Sequence, residues 1–246
     1  MLRGTRDYII MISNEIREQN EKLKDMDARQ RLQYIWDYYK VPIMITVILL
    51  YALISFIHSR LTYKPTVFNL IMIDSNVTDL IDQSLLDGFA GYNEGFDPDR
   101  EQISLHADYN TENLDSGFYP ERQKLMMEYG AGTIDATIAP KKAIEELGPY
   151  QAFADMTAIL PADLMDRISS EGLELIYTTY EDPATGKVYN YPVAVNISGT
   201  AAIKKGFTDI NGETFRYFDS DCYYAISPNS EYMDNCISFL NYLMDT

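Results

Sequence analysis

Polar and aromatic side chains suited to binding a small molecule stand within or directly after two apolar runs. Asp74, Ser75 and Asn76 follow the run TVFNLIMI and offer a carboxylate, a hydroxyl and an amide. Tyr189 and Tyr191 lie in the run VYNYPVAV and offer aromatic faces. In open α/β sheets, ligands bind outside the carboxyl ends of strands. We therefore predict that these five residues bind a ligand.

Each of these residues also has an ordinary structural explanation. Ser75 and Asn76 are of the types that cap helix N-termini, and tyrosines such as Tyr189 and Tyr191 commonly pack against a core. A further segment, Ala139-Pro140-Lys141, follows another apolar run and has the same two explanations. The sequence leaves the binding role and the structural role open.

Catalytic and metal chemistry have little support in the sequence. His106 lies two residues from Ser104, so both side chains face the same side of a strand, but no third catalytic member and no nucleophile-elbow motif accompany them. Asp97, Asp99 and Glu101 begin like a calcium loop but lack the glycine at its sixth position. We predict that the protein is not an enzyme and has neither a metal site nor a cofactor.

The segments that would position these residues alternate between strand and helix patterns. Alternating apolar residues predict a strand in EQISLHADY, and short apolar runs predict strands in IDATIAP, LELIYTTY and YYAIS. Between them, YPERQKLMMEYG, KKAIEEL and EYMDNCISFLNYLMD have helical spacing. This order predicts one α/β domain over residues 65–246, with a mostly parallel sheet flanked by helices.

A long uncharged stretch precedes this domain. From Val41 to Ile57 the chain has seventeen residues without a charge, which as a helix span roughly 26 Å, close to the hydrocarbon thickness of a bilayer. A cleaved signal peptide would have a shorter N-terminal region and a small-residue cleavage site, and a core helix would be shorter. We predict a single transmembrane helix at residues 41–59 that acts as an uncleaved signal-anchor.

The charges around this stretch predict its orientation. Five Lys or Arg residues lie within about twenty positions upstream, and only Arg60 and Lys64 follow closely downstream. The positive-inside rule then places residues 1–40, which have a helical pattern, in the cytoplasm. Residues 65–246, with ten Lys/Arg against thirty Asp/Glu, form the extracytoplasmic domain of a single-pass cell-membrane protein. The net charge of −17 excludes nucleic acid as a partner.

Three segments of the predicted domain resemble bacterial extracellular solute-binding proteins of the periplasmic-binding type II fold. They are MMEYGAGTIDATIA, KVYNYPVAVNISGTAAIKKGF and YYAISPNSEYMDNCISFLNYL. The resemblance implies a periplasmic-binding-like fold. Family members usually carry a second lobe after the crossover strand, but here about 25 residues, 198–221, remain, too few to form a lobe. The resemblance therefore implies a membrane-anchored protein truncated to about one lobe.

Two functions follow from this resemblance. In the first, the domain captures or senses a small molecule outside the cell, and the excess of acidic residues favours a neutral or cationic solute. In the second, the domain is a non-catalytic interaction module, a remnant binding lobe that docks on a membrane protein partner. A pocket with aromatic and polar groups favours the first function, and an exposed apolar patch favours the second.

Overall fold

A computed structural model of the chain describes Arg17 and residues 27–77, 84–110, 119–182, 184–209 and 211–246. The chain divides into two compact units, on either side of the bond between Tyr63 and Lys64. Most of the predicted N-terminal helical segment lies outside the described residues.

The first unit contains one long helix, α1 (Ala28–Thr62). It begins at a capping box: Asp27 accepts a hydrogen bond from the Ala28 backbone N–H at 2.8 Å, and Gln30 accepts one from the Asp27 N–H at 3.2 Å. Its segment Tyr39–Thr62 has 24 residues, a mean hydropathy of 2.3 and no buried residue. By length and composition, this segment can cross a membrane.

The second unit alternates strands and helices, as the sequence pattern predicts. Its elements are β1 (Thr66–Ile73), α2 (Ser84–Tyr92), β2 (Gln102–Tyr109), α3 (Tyr119–Gly130), β3 (Ala136–Pro140), α4 (Lys141–Leu147), a 3₁₀ turn (Gly148–Tyr150), α5 (Met156–Ile159), α6 (Ala162–Ser170), β4 (Leu175–Glu181), β5 (Val188–Asn196), α7 (Ala201–Lys205), β6 (Phe207–Thr208), β7 (Thr214–Phe215), β8 (Cys222–Ile226) and α8 (Met233–Asp245).

Six of the strands form one sheet in the order β2-β1-β3-β8-β5-β4. β1 pairs in parallel with β2 and β3, whereas β8 is antiparallel to both β3 and β5, and β4 is antiparallel to β5. Strands β1, β2, β3 and β5 therefore run in one direction. Four of the six strands thus share a direction, which confirms the predicted α/β fold with a mostly parallel sheet, although β8 and β4 run the opposite way.

Apolar side chains fill both faces of this sheet. On one face, Phe68 packs against Phe89 and Phe239, with ring centroids 5.3 and 5.0 Å apart. On the other face, Ile71 and Ile144 belong to the second core cluster. The near-continuous apolar pattern of β1 follows from burial on both faces, because successive side chains point to opposite sides.

Candidate functional site

The carboxyl ends of three strands meet at one edge of the sheet. Pro140, the last residue of β3, pairs with Cys222, the first residue of β8. The backbone N–H of Ile197, just after β5, donates to the Cys222 carbonyl at 3.1 Å. Because β1 is parallel to β3, Asp74 follows β1 at this same edge. Ligands of open α/β sheets bind at such an edge.

A cavity of about 420 Å³ opens at this edge, and we call it the strand-end cavity. Its volume is within the range of small-molecule sites, roughly 300–1,000 Å³. Tyr217 and Phe218 contribute buried aromatic side chains, and most of the other lining residues are polar. The lining consists of Ser198, Ile203, Lys204, Arg216, Tyr217, Phe218, Asp219, Ser220, Asp221 and Cys222.

Asn76 fixes one wall of the strand-end cavity. Its backbone N–H donates to the Tyr217 carbonyl at 2.8 Å. Its side-chain Nδ2 donates to the Arg216 carbonyl at 3.3 Å and to Asp219 Oδ1 at 2.9 Å. This predicted binding residue therefore attaches the wall to the end of β1 and does not itself line the cavity.

Asp74 and Ser75 form the turn between β1 and Asn76. Asp74 has a φ of 53°, a left-handed conformation that aspartate tolerates better than most residues, and its N–H donates to the Tyr109 carbonyl at 3.0 Å. The buried Oγ of Ser75 has no hydrogen-bond partner among the described residues. The predicted capping of the next helix involves residues 78–83, which lie outside the described part of the chain.

Tyr189 and Tyr191 lie far from the strand-end cavity. Tyr191 precedes Ile197 by six residues, which corresponds to roughly 20 Å along a strand. It is half-buried and packs against the second core cluster, and this burial raises the pKa of its hydroxyl. Tyr189 stacks on Tyr180 with the ring centroids 6.5 Å apart. The five predicted residues therefore do not form one site.

Lys141 lies at the carboxyl edge but is held by an ion pair. Its Nζ donates to Glu174 Oε1 at 2.8 Å, and the Tyr223 hydroxyl donates to Glu174 Oε2 at 2.8 Å. The Lys141 hydrogen bond, followed by that of Tyr223, lowers the pKa of the Glu174 carboxyl. These contacts connect the first residue of α4, the residue before β4 and strand β8, and they support the structural explanation for this lysine.

Cys222 contributes a neutral thiol to the cavity lining. Burial raises the pKa of this thiol to about 12, so the thiolate is absent near neutral pH. Ser198 accepts a hydrogen bond from the Cys222 N–H at 2.8 Å and donates to its carbonyl at 3.2 Å. Cys222 and Cys236 are both buried and free. The cavity is therefore suited to non-covalent binding and not to thiolate chemistry.

The charged residues of the cavity were not predicted from the sequence. Lys204, Arg216, Asp219 and Asp221 belong to residues 198–221, a stretch whose sequence shows neither helical nor strand periodicity of useful length. One available signal was charge: three of the ten Lys/Arg of the acidic domain fall between positions 204 and 216.

No protein-family model, curated protein or solved structure matches this chain. The resemblance to solute-binding proteins therefore stays a prediction based on the three segments quoted above. Among the residues that the structure describes, no group of three or more His, Cys, Asp or Glu side chains is arranged to hold a metal ion. The functional proposal below is based on the geometry of the strand-end cavity.

Proposed function

We propose that this protein is a membrane-tethered domain that captures or senses a small molecule outside the cell. The observation that carries the proposal is the strand-end cavity, which has the volume of a small-molecule site and lies at the carboxyl edge of the sheet. Asn76 attaches the wall of the cavity to the end of β1 through hydrogen bonds within the protein. The apolar part of α1 provides the tether.

The overall charge of the domain favours a solute that is neutral or cationic. Thirty Asp/Glu face ten Lys/Arg in residues 65–246, so an approaching anion experiences net repulsion. Salt screens this repulsion beyond about 10 Å at 0.1 M ionic strength. The cavity is also partly open to water, and we expect affinities on the order of micromolar to millimolar, roughly −8 to −4 kcal/mol.

A ligand screen tests this function on the full chain in lipid nanodiscs. Unfolding temperatures are measured with panels of sugars, amines, amino acids and short peptides, and we expect one class to raise the unfolding temperature. In the Ser220→Trp variant, the indole occupies the cavity and should remove that stabilisation. Ser169→Trp, an exposed position on α6 that does not line the cavity, is the matched control. Identical ligand responses in both variants would contradict the cavity as the binding site.

The β4–β5 hairpin favours a second function, an interaction module that docks on a membrane protein partner. Tyr177 and Val188 are 56% and 58% exposed, although both are large apolar residues. Both side chains lie on the same face of the hairpin, because Val188 pairs with Glu181. Tyr189 lies on the opposite face, with Lys187 Nζ 4.6 Å from its ring centroid. An exposed apolar surface of this kind is typical of protein interfaces. β5 pairs with β8 only through Ala194–Asn196, so the hairpin extends beyond the central strands.

Site-specific photo-crosslinking in cells distinguishes the two functions. A photoreactive amino acid at Tyr177 should form a discrete adduct with one membrane protein if the hairpin is a docking surface. The same group at Ser220 is the control, because that position belongs to the cavity. Equal, diffuse labelling from both positions would count against the interaction module.

A further inference from the structure

We propose that the ligand of the strand-end cavity is a zwitterion, a small molecule that carries one anionic and one cationic group and has no net charge. The inference rests on the proposed function, because it names the ligand class of the same cavity. It agrees with the expected neutral solute but requires two opposite charges on that solute.

Two cationic side chains line the cavity, and neither has an acidic partner among the residues that the structure describes. Lys204 belongs to α7, and Arg216 directly follows β7. Neither side chain forms an ion pair with any residue in the described ranges. Both side chains are exposed, so a ligand can reach them from the solvent. They provide a binding position for an anionic group such as a carboxylate.

Two carboxylates line the same cavity and lie close to these cations in the chain. Asp219 is oriented by the hydrogen bond that its Oδ1 accepts from Asn76 at 2.9 Å. Asp221 immediately precedes the buried Cys222 at the start of β8. Both acidic residues belong to the segment that Asn76 attaches to β1. They provide a binding position for a cationic group such as an ammonium.

A zwitterion differs from other ligands because it can pair with both the cationic and the anionic side chains of the cavity. A sugar would bind the hydroxyls and backbone groups but leave the charges of the cavity without partners. A simple anion or a simple cation would pair with only one sign of the cavity's charges and leave the opposite charges without a ligand group. A zwitterion forms charge-assisted hydrogen bonds to both signs, which are roughly twice as strong as neutral ones.

The test compares ligands that share a carbon skeleton and differ in charge. Calorimetry on the full chain in nanodiscs uses L-alanine, L-glutamine and L-leucine as probes. Each is compared with its amide, which lacks the anionic group, and with its N-acetyl derivative, which lacks the cationic group. We expect at least one free amino acid to bind, and both of its derivatives to bind about tenfold more weakly or worse.

Variants that each remove one charge from the cavity test which side chain binds the anionic group of the ligand and which binds the cationic group. Arg216→Gln should weaken binding of the amino acid about tenfold but should not weaken binding of its amide, because the amide has no anionic group for Arg216 to bind. Asp221→Asn should show the same pattern with the N-acetyl derivative. Lys205→Gln and Asp166→Asn are the matched controls, since both residues are exposed and do not line the cavity.

The outcomes separate this inference from the proposed function. Binding confined to uncharged compounds, or to compounds with charge of one sign, would overturn the zwitterion and leave small-molecule binding intact. Unchanged amino-acid affinity in both Arg216→Gln and Asp221→Asn would overturn it as well. A screen in which no compound stabilises the protein would instead contradict the proposed function itself.

Discussion

At the scale of single residues, several polar side chains hold elements together. Asp135 is the clearest example, because it is 3% exposed and accepts hydrogen bonds from the Asn69 N–H at 2.7 Å and from the Ser230 hydroxyl at 2.5 Å. It thereby connects β1, β3 and the turn before α8. Asn76 has a comparable role at the opposite edge of the sheet. Both are polar residues beside buried strands, a pattern that the sequence alone assigns equally well to a binding site.

Replacing Asn76 by alanine should weaken ligand binding and stability together. The side chain loses two hydrogen bonds, to Arg216 and Asp219, and we expect the free energy of unfolding to fall by about 1–2 kcal/mol. Thermal unfolding of the full chain in nanodiscs measures the loss. Asn190→Ala, at an exposed position of the hairpin, is the control. If Asn76→Ala has the same stability and the same ligand response as that control, the cavity wall does not depend on the hydrogen bonds of the Asn76 side chain.

Replacing Asp135 by asparagine should destabilise the protein in a pH-dependent way. Asparagine has one acceptor oxygen, so its amide group would face a donor, at a cost of about 1–3 kcal/mol. Burial raises the pKa of the Asp135 carboxyl above its usual value. The protonated acid is therefore favoured in the folded state, and this stabilisation is fully present below about pH 3.9 and is lost as the pH rises through the folded pKa.

The stability difference between wild type and Asp135→Asn should accordingly be larger at pH 4 than at pH 7. Unfolding midpoints of both proteins across this range measure it. Asp166→Asn, an exposed carboxylate, is the control for changes in total charge. A difference that grows with pH would mean that the hydrogen bonds to Asn69 and Ser230 outweigh the cost of burial.

At the scale of elements, periodicity predicted which segments are helices and strands, but not which strands are neighbours. The segment KKAIEEL coincides with α4, because its buried residues Ala143, Ile144 and Leu147 recur at helical spacing. The position of β8 between β3 and β5 was not predictable in this way, since side-chain alternation does not identify a partner strand. The tyrosines of β5 were assigned to the site for the same reason. A nine-residue strand is roughly 30 Å long, and they lie near its other end.

The turn between α7 and β6 depends on a glycine for two separable reasons. Gly206 has a φ of 69°, and a Cβ at this position would collide with the Phe215 carbonyl oxygen of β7. Gly172 has a φ of 66°, but a Cβ there would meet no atom within 4 Å. Alanine at Gly172 should therefore cost about 1–2 kcal/mol for the left-handed backbone alone.

Gly206→Ala should cost about 1–3 kcal/mol more than Gly172→Ala, because the collision adds to the backbone strain. Gly206→Ala should also weaken ligand binding, because it displaces β7 and Arg216 directly follows β7. Gly172→Ala should leave ligand binding unchanged. Unfolding midpoints and calorimetry on both variants measure these two effects. If both variants lose the same free energy of unfolding, β7 can shift to accommodate the new Cβ without destabilising the protein.

At the scale of the whole molecule, the sequence indicated the division into an apolar helix and an α/β unit. Hydropathy predicted the apolar helix at residues 41–59, and the structure has a membrane-length segment at Tyr39–Thr62 within the longer α1. The helix begins upstream of the apolar segment, at Ala28, because the residues before Tyr39 are more polar but still have a helical pattern. Strand pairing and the cavity required the folded chain, since both depend on contacts between distant residues.

The charges beside α1 predict that the N-terminus is cytoplasmic and the α/β unit is outside. We expect externally added protease to remove a C-terminal tag from intact cells and to leave an N-terminal tag protected. Permeabilised cells, in which both tags are accessible, are the control. Protection of the C-terminal tag in intact cells, or a shortened soluble form in the medium, would contradict this topology.

The central position of β8 determines when the α/β unit can fold during synthesis. Until Cys222–Ile226 have been made, the groups β2-β1-β3 and β5-β4 have no strand pairing with each other, because β8 is the strand that pairs with both β3 and β5. The facing edges of β3 and β5 stay unpaired until β8 has emerged, and such edges are open to pairing with other chains. Until then the unit would depend on chaperones to keep these edges from aggregating.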